Sequence, residues 1–279
     1  MEPLSYEKRG YLNEDFRLFH LADAKREEIG YHYHSFHKII ILLAGQADYA
    51  VEGEVYTLRP GDCVLVGRGS IHRPVLAEDA FYERMILYIS PEYLRRLSRP
   101  DCDLESCFRR SLEQFRYVYH PVGDEVSHLF HALERSEKEG GFGSELLRRA
   151  IFVQLMVAVN RVACEDSAVG AAAADDKVVA LLQYLNGHLS EPLSIDELAG
   201  RFYLSKFHMM RRFKEETGYT VHSYITEKRL LLAQQLLQQG RPLTDTAFAC
   251  GYQDYSTFSR AYKKQFGHSP SEKKHDLQN

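Results

Sequence analysis

The chain has 279 residues, 44% hydrophobic and 27% charged, a composition typical of a globular protein with one or two domains. Its first 16 residues mix charged and apolar side chains, and its most apolar window is only residues 150–159, so we expect neither a secretory signal nor a membrane span. Its five cysteines form no Cys-x-x-Cys pair, so we expect neither a disulfide framework nor a zinc ribbon, and a cytoplasmic location. The formal net charge of −4 argues against a polyanion-binding surface spread over the whole chain.

The first strongly patterned region runs from about Tyr31 to Ser90 and is rich in β-branched and aromatic side chains. Turn residues interrupt it at short intervals, at Gly45, Gly53, Pro60-Gly61-Asp62 and Gly67 to Ser70. Such spacing is typical of many short antiparallel strands. It predicts a β-barrel or a β-sandwich.

From about Pro91 to Cys164 apolar residues recur every three or four positions, which predicts two helices. An apolar stripe in the second helix could pack on the barrel of its own chain or on a partner. We expect it to form a homodimer interface in the N-terminal half. The stripe consists of Leu147, Ile151, Leu155 and Val159.

A stretch of small residues, polar at both ends, separates this region from the rest of the chain. Residues 165–176 read EDSAVGAAAADD, have no hydrophobic periodicity and are typical of a flexible linker. The sequence thus predicts four segments. They are an effector-binding barrel at 1–100, a helical dimerisation segment at 101–164, the linker at 165–176 and a DNA-binding domain at 177–279.

Helix-capping signals after the linker predict two similar pairs of helices. Ser194 and Ser205 are the expected N-caps of the first pair, which has the form of a helix-turn-helix, and Thr244 is expected to begin the second pair about 50 residues later. A long helix, about residues 221–239, joins the pairs and would be about 28 Å long at ~1.5 Å per residue. Successive major grooves lie ~34 Å apart on one side of DNA, so two recognition helices on this frame can enter both.

The second helix of each pair shows a buried stripe and an opposite face with long polar or apolar side chains. Met209 with Phe213, and Phe258 with Tyr262, are expected to be core. The opposite faces could be ordinary solvated surface, but we expect them to contact DNA, because residues 175–279 hold 14 Lys and Arg against 12 Asp and Glu while the remainder holds 21 against 27. The candidate DNA-binding residues are Lys206, Phe207, Met210, Arg211, Tyr255, Ser256, Ser259 and Arg260.

The region from about Asp176 to Pro270 resembles the DNA-binding domain of the AraC/XylS family of transcription regulators. The motifs that carry the resemblance are Arg229-Leu230 and Ala233, then Asp245-Thr246-Ala247-x-x-x-Gly251-Tyr252-x-Asp254, then Gly267-x-Ser269-Pro270. The resemblance implies a regulator of promoter DNA. It also implies activation more often than repression, RNA polymerase as a partner of an activator, and a sugar or related carbon compound as the effector.

The strand-rich half resembles the cupin-type sensor domain of the same family, through His32-x-His34, Gly45, Pro60-Gly61-Asp62 and Gly69-x-x-His72. Metal-binding cupins have a glutamate at the position of Lys38, four residues after His34, and a lysine there would repel a cation. We therefore expect no cofactor, although His32, His34 and His72 could supply three imidazoles to a metal ion. The expected effector-binding residues are His32, His34, Lys38 and His72.

These features together predict an α+β multidomain protein. It would consist of a cupin-like β-barrel with appended helices and an all-α domain of two helix-turn-helix units joined by a long helix. The expected function is a sequence-specific, effector-controlled transcription regulator that is not an enzyme. Two alternatives remain at this stage, a metal-dependent cupin enzyme with a DNA-targeting domain, and an alkyl-transfer DNA repair protein, for which Cys63 and the other cysteines lack the expected context.

Overall fold

The computed structural model describes residues 12–23, 29–76, 81–165, 168–171 and 176–272. The chain forms two compact units, Met1–Ala174 and Asp175–Asn279. Half of the predicted linker, residues 166–167 and 172–175, lies outside the described residues. Among the described helices none combines the length and apolar character that a bilayer span requires.

The first unit contains two antiparallel sheets, as the strand-rich pattern predicts. The larger sheet has the strand order β1-β7-β2-β5-β8 and the smaller one has the order β4-β3-β6. The strands are β1 (Phe16–Asp23), β2 (His37–Gly45), β3 (Ala47–Val51), β4 (Glu54–Leu58), β5 (Cys63–Val66), β6 (His72–Val75), β7 (Tyr82–Ile89) and β8 (Val118–Tyr119).

Strand β2 lies at the centre of the larger sheet and is buried on both faces. Ile39 and Ile41 belong to a core shared with the helices of this unit, whereas Ile40 and Leu42 belong to a core shared with the smaller sheet. Alternate side chains of a strand point to opposite faces, so the larger sheet is the middle layer of three. Lys38 has the parity of Ile40 and therefore faces the interior between the sheets.

In the described part of the first unit, four helices cover the outer face of the larger sheet, twice the number predicted. They are α1 (Pro91–Leu97), α2 (Ser106–Gln114), α3 (Glu125–Lys138) and α4 (Ser144–Cys164). Short helices such as α1 and α2 were missed because fewer than three turns give little periodicity to detect.

The apolar stripe predicted for dimerisation is divided between core and surface. Leu155 and Val159 are buried against the core of their own unit, whereas Leu147 is 50% exposed and Ile151 is half-buried. The core-facing side of α4 is centred on Phe152, Leu155, Met156 and Val159. The alternative, in which the stripe packs within its own chain, therefore holds for Leu155 and Val159.

The second unit is all helical and contains two helix-turn-helix pairs, α6 with α7 and α9 with α10, which confirms the predicted fold. Its helices are α5 (Asp176–Gly187), α6 (Ile195–Arg201), α7 (Lys206–Thr217), α8 (Val221–Gln238), α9 (Leu243–Ala249) and α10 (Tyr255–Phe266).

The caps of the recognition helices repeat, while one predicted cap, Thr244, needs correction. The Ser205 hydroxyl accepts the His208 N–H at 3.3 Å and the Asp254 carboxylate accepts the Thr257 N–H at 2.7 Å. Both helices end at a left-handed glycine, Gly218 or Gly267, with φ 80°. Ser194 occupies the N-cap of α6 without a side-chain cap bond, and α9 begins at Leu243, so Thr244 lies inside the helix.

The turns of the two pairs adopt the same left-handed conformation but meet different surroundings. Tyr203 has φ 53° and is 91% exposed, whereas Gly251 has φ 77° and lies against Arg229. The Arg229 guanidinium donates hydrogen bonds to the carbonyl oxygens of Leu189 at 2.8 Å and Glu191 at 2.6 Å. A Cβ on Gly251 would overlap the Leu189 oxygen and lie 2.8 Å from the Arg229 guanidinium, so only glycine fits this turn.

We expect Gly251→Ala to destabilise the protein more than Gly240→Ala. Gly240 also has a positive φ, 84°, but a Cβ there meets no atom within 4 Å, so its variant measures the backbone strain alone, about 1 kcal/mol. Gly251→Ala adds a clash with backbone and guanidinium and should at least double that loss. Chemical unfolding of both variants measures the difference, and equal losses would contradict the role assigned to this turn.

Candidate functional site

The outward face of α7 presents all four residues of this helix that were predicted to contact DNA. Phe207 is 72% exposed and Met210 is 38% exposed, while Met209 behind them is buried as predicted. The Arg211 side chain lies 3.6 Å from the Glu215 carboxylate, and Lys206 lies 3.0 Å from Asp196. Such exposed ion pairs contribute little to stability, so both cations can exchange their carboxylate partners for phosphates or base edges at small cost.

The equivalent face of α10 is narrower than that of α7. Ser256 and Arg260 are exposed, but Tyr255 and Ser259 are half-buried. The Tyr255 ring lies 5.9 Å from the Phe258 ring at the edge of the core of this pair. Tyr255 thus supports the helix as much as it offers a contact, and Arg260 is the main cation of this face.

The sequence interpretation missed two large side chains exposed beside these faces. Tyr203 occupies the turn before α7, and Phe248 in α9 is 54% exposed. Neither carried a signal, because an exposed aromatic residue in a turn or short helix looks like core material in a periodicity pattern. Aromatic and apolar groups at such positions can contact sugars and thymine methyl groups.

Three histidines meet inside the first unit, at one end of the interior between the sheets. His32 and His72 form an antiparallel main-chain bridge with N–H to O distances of 3.2 Å and 3.0 Å, and the His34 carbonyl accepts the Gly69 N–H at 2.8 Å. The ring centroids lie 4.4 to 5.0 Å apart, and all three side chains are buried. His32 and His34 lie before β2, where the bridge aligns His32 with His72 and the Gly69 N–H holds the main chain of His34.

Main-chain carbonyls determine which nitrogen carries the proton in two of these rings. His32 Nδ1 lies 2.8 Å from the Gly30 oxygen and His72 Nδ1 lies 2.9 Å from the Ser70 oxygen. A carbonyl oxygen can only accept, so both Nδ1 atoms donate and the neutral rings carry lone pairs on Nε2. Burial, reinforced by the charge of Lys38, holds the pKa of His72 well below 6.5, which keeps it neutral at physiological pH.

Lys38 places a buried amine beside this histidine cluster. Its Nζ donates to the Tyr49 hydroxyl at 3.3 Å, and the Tyr49 ring lies 6.1 Å from the His72 ring. Burial, with the nearby Arg84 charge, lowers the pKa of Lys38 to about 7. Among the described residues no carboxylate forms an ion pair with Lys38, so an anionic group entering here would stabilise its charged form.

His37 lies on the opposite face of β2, as strand alternation predicts, and takes no part in the cluster. Its Nδ1 accepts the Arg68 N–H at 3.1 Å, so Nε2 carries the proton and donates to the Glu105 carboxylate at 2.8 Å. Sequence reasoning missed the residues around the histidine cluster and Lys38. Phe36, Tyr49 and Tyr88 lie beside the histidine rings, and Arg84 lies near Lys38. The His34 ring stacks on the Phe36 ring with 4.5 Å between their centroids, and the Tyr88 ring packs against both rings.

Comparison with known proteins gives the same division into two domains. A family model described as an AraC-like ligand binding domain matches residues 18–156, and one described as a helix-turn-helix domain matches residues 198–275. The HTH-type transcriptional activator RhaS of Shigella sonnei (strain Ss046) is 27% identical over 240 residues, 86% of this chain and 85% of the relative. RhaS of Escherichia coli (strain K12 / DH10B) gives the same values.

Among solved structures, a transcriptional regulator from Chromobacterium violaceum, described by its AraC-type DNA-binding domain, is 32% identical. The match covers 35% of this chain and 88% of that structure, with a TM-score of 0.33.

We expect Arg211→Ala and Arg260→Ala each to weaken specific DNA binding by about 10- to 100-fold, because an arginine paired with guanine contributes ~1 to 3 kcal/mol of discrimination. The probe is a duplex selected from a random-sequence pool by the wild-type protein, titrated in a gel-shift assay at one salt concentration. Both arginines are exposed, so thermal stability should not change.

Arg99→Ala is the matched control, because it removes one exposed arginine from the other unit. Wild-type affinity in Arg211→Ala and Arg260→Ala, or an equal loss in Arg99→Ala, would reject the two residues as readers of DNA.

Proposed function

The chain belongs to the AraC/XylS family, and from this we propose that it is a transcription activator controlled by a small polar effector bound beside Lys38. Members of this family are DNA-binding regulators with a ligand-binding domain and are not enzymes, so the two alternative functions fall away. The activating sign is supported by the relatives named transcriptional activators. An activator of this kind acts by contacting RNA polymerase, in the cytoplasm.

The observation that carries the effector proposal is a buried cation beside three buried imidazoles. Lys38 is 6% exposed and lacks a carboxylate partner among the described residues. A carboxylate or a hydroxyl-rich carbon compound would satisfy its charge and would also use the hydrogen-bonding capacity of His32, His34 and His72. We therefore favour a sugar or a related carbon compound, and an acidic one among these.

The DNA-binding proposal places α7 and α10 in successive major grooves. Helix α8 has 18 residues, so its length of about 27 Å suits this spacing. The proposed contacts are Lys206, Phe207, Met210, Arg211, Tyr255, Ser256, Ser259 and Arg260. Effector binding would affect these contacts by changing the populations of two arrangements of the domains that residues 165–176 join. Such a change requires the effector to bind the two arrangements with different affinities.

We propose that the protein is a homodimer whose interface is a more outward stripe of α4, one or two positions away from the stripe that the sequence suggested. This stripe consists of Leu146, Ala150, Val153 and Val157. Leu146 is 73% exposed, and Val153 and Val157 line an open groove of about 800 Å³ beside α3. The spacing of four, three and four residues is that of helices that pair along an apolar seam, which favours a second copy of α4 as the occupant.

We expect His34→Ala and His72→Ala to abolish the effector response while leaving effector-independent DNA binding intact. A thermal-shift screen of the full-length protein identifies an effector, since a ligand at ~100 times its Kd stabilises by ~2.7 kcal/mol. A reporter fused to the selected DNA site then measures induction. His20→Ala, a histidine of the same unit that is partly exposed and paired with Glu83 and Glu134, is the control. Normal induction in both cluster variants would place the effector elsewhere.

Val153→Glu should dissociate the dimer, because it places a charge in the centre of the apolar stripe. Leu147→Glu adds the same charge on the neighbouring side of α4 and should leave the dimer intact. Sedimentation velocity of full-length proteins at micromolar concentration separates the two cases. Dissociation by Leu147→Glu alone would restore the first prediction, and a monomeric wild-type protein would reject both interfaces.

A further inference from the structure

We propose that Ala168 and Val169, in the first half of the predicted linker, form a detachable strand of the larger sheet that limits how far the DNA-binding unit can reach. This strand, which we call the strap, belongs to the first unit. The inference rests on the proposed function, because reach matters only to a dimer whose two DNA-binding units occupy separate DNA sites.

The strap pairs with β8, the strand at the edge of the larger sheet. Ala168 forms an antiparallel bridge with Tyr119, and the Val169 N–H donates to the Val118 carbonyl oxygen at 2.8 Å. An edge strand has main-chain groups available for pairing with a further segment. The strap uses these groups, so it extends the sheet by one short strand.

The side chains of the strap alternate as those of a strand do. Ala168 packs against the core that the larger sheet shares with the helices, whereas Val169 packs against the core between the sheets. Such alternation is expected of a paired strand rather than of a coil that touches the surface by chance. Val169 is also the only large apolar residue in residues 165–176, so the sequence distinguishes the position that docks.

Few contacts hold the strap in place. Its two side chains are half-buried, and Gly170 and Ala171, which follow it, are exposed and form no main-chain hydrogen bond to another described residue. These two residues border an open groove of about 460 Å³ whose lining includes Arg59 and His120. The strap can therefore leave β8 without unfolding either core, as segments with few buried contacts do.

Docking shortens the chain that is free to span the distance to the DNA-binding unit. The seven residues from Val169 to Asp176, where α5 begins, reach at most about 25 Å, whereas the eleven from Glu165, the cap of α4, reach at most about 40 Å. The difference is about 15 Å per chain and about 30 Å for a dimer, close to the ~34 Å of one turn of DNA. A ligand that favours one state of the strap would therefore change which separations of DNA sites the dimer can bind.

The first measurement is hydrogen exchange of the main-chain amides in the full-length protein. We expect the Val169 amide to exchange about 10-fold more slowly than those of Gly170 and Ala171, after correction for intrinsic rates, because its N–H is bonded to Val118. Val169→Gln should remove this protection, because it replaces the apolar side chain that docks. Gly170→Gln is the matched control and should keep it, since a Cβ at Gly170 meets no atom within 4 Å.

The second measurement is binding to DNA duplexes that carry two copies of the selected site, at separations that increase in steps of one helical turn, about 10.5 base pairs. Wild-type protein and Gly170→Gln should lose about 10-fold or more in affinity one turn beyond their preferred separation, because a linker that cannot span both sites forfeits the gain from the second. Val169→Gln, with its longer free chain, should lose no more than about 3-fold.

The outcomes separate the strap from the proposed dimer. Equal exchange of the three amides in the wild-type protein overturns the strap. An unprotected amide in Val169→Gln, together with the wild-type dependence on separation, overturns its control of reach. Independent binding of the two sites at every separation overturns the dimer and the role in reach, while the exchange rates still decide whether the strap docks. Circular dichroism and thermal unfolding establish that both variants are folded.

Discussion

Burial of β2 on both faces is the constraint on which the first unit depends. A slip of one residue would move every side chain of this strand to the opposite face, and here each face has its own core. Ile39 and Ile41 are committed to the helices, and Ile40 and Leu42 are committed to the smaller sheet. The same alternation sends His37 to Glu105 and Lys38 to the interior, so one register decides which cationic side chain reaches the site.

The second unit depends on a different device, the contact of Arg229 with the loop between α5 and α6. This side chain starts on α8, satisfies the carbonyls of Leu189 and Glu191, and lies against the turn at Gly251. It therefore joins the first pair of helices to the second through main-chain groups. A hydrogen bond from a charged donor to a carbonyl oxygen is stronger than a neutral one, which suits a contact that aligns two modules.

Much of this architecture follows from local patterns. Alternation, turn residues and capping signals predict the sheets, the two helix pairs and the inward side of Met209, Phe213, Phe258 and Tyr262, all of which are buried. The resemblance to a cupin-type sensor domain predicts that His32, His34 and His72 meet. Long-range packing is less predictable, because a helical stripe indicates an apolar face without indicating what covers it. Leu147 and Leu155 both belong to the predicted stripe of α4, and only the packed structure shows that Leu155 is core and Leu147 is half-exposed.

The residues around the histidine cluster and Lys38 were likewise not predictable from local sequence patterns. Tyr49 and Arg84 come from distant strands, and no local pattern links them to Lys38. The offset at Thr244 is within the one or two residues by which helix ends commonly differ between assignments.

The separation of frame and surface in the recognition helices has a consequence for how such a protein can change over generations. The caps at Ser205 and Asp254, the left-handed glycines and the buried stripes account for the folding of α7 and α10. The exposed residues Phe207, Arg211, Ser256 and Arg260 add little to that folding. In the proposed binding mode, mutations would therefore redirect one recognition helix to another DNA sequence while the other keeps its specificity, so a promoter and its regulator could diverge one groove at a time.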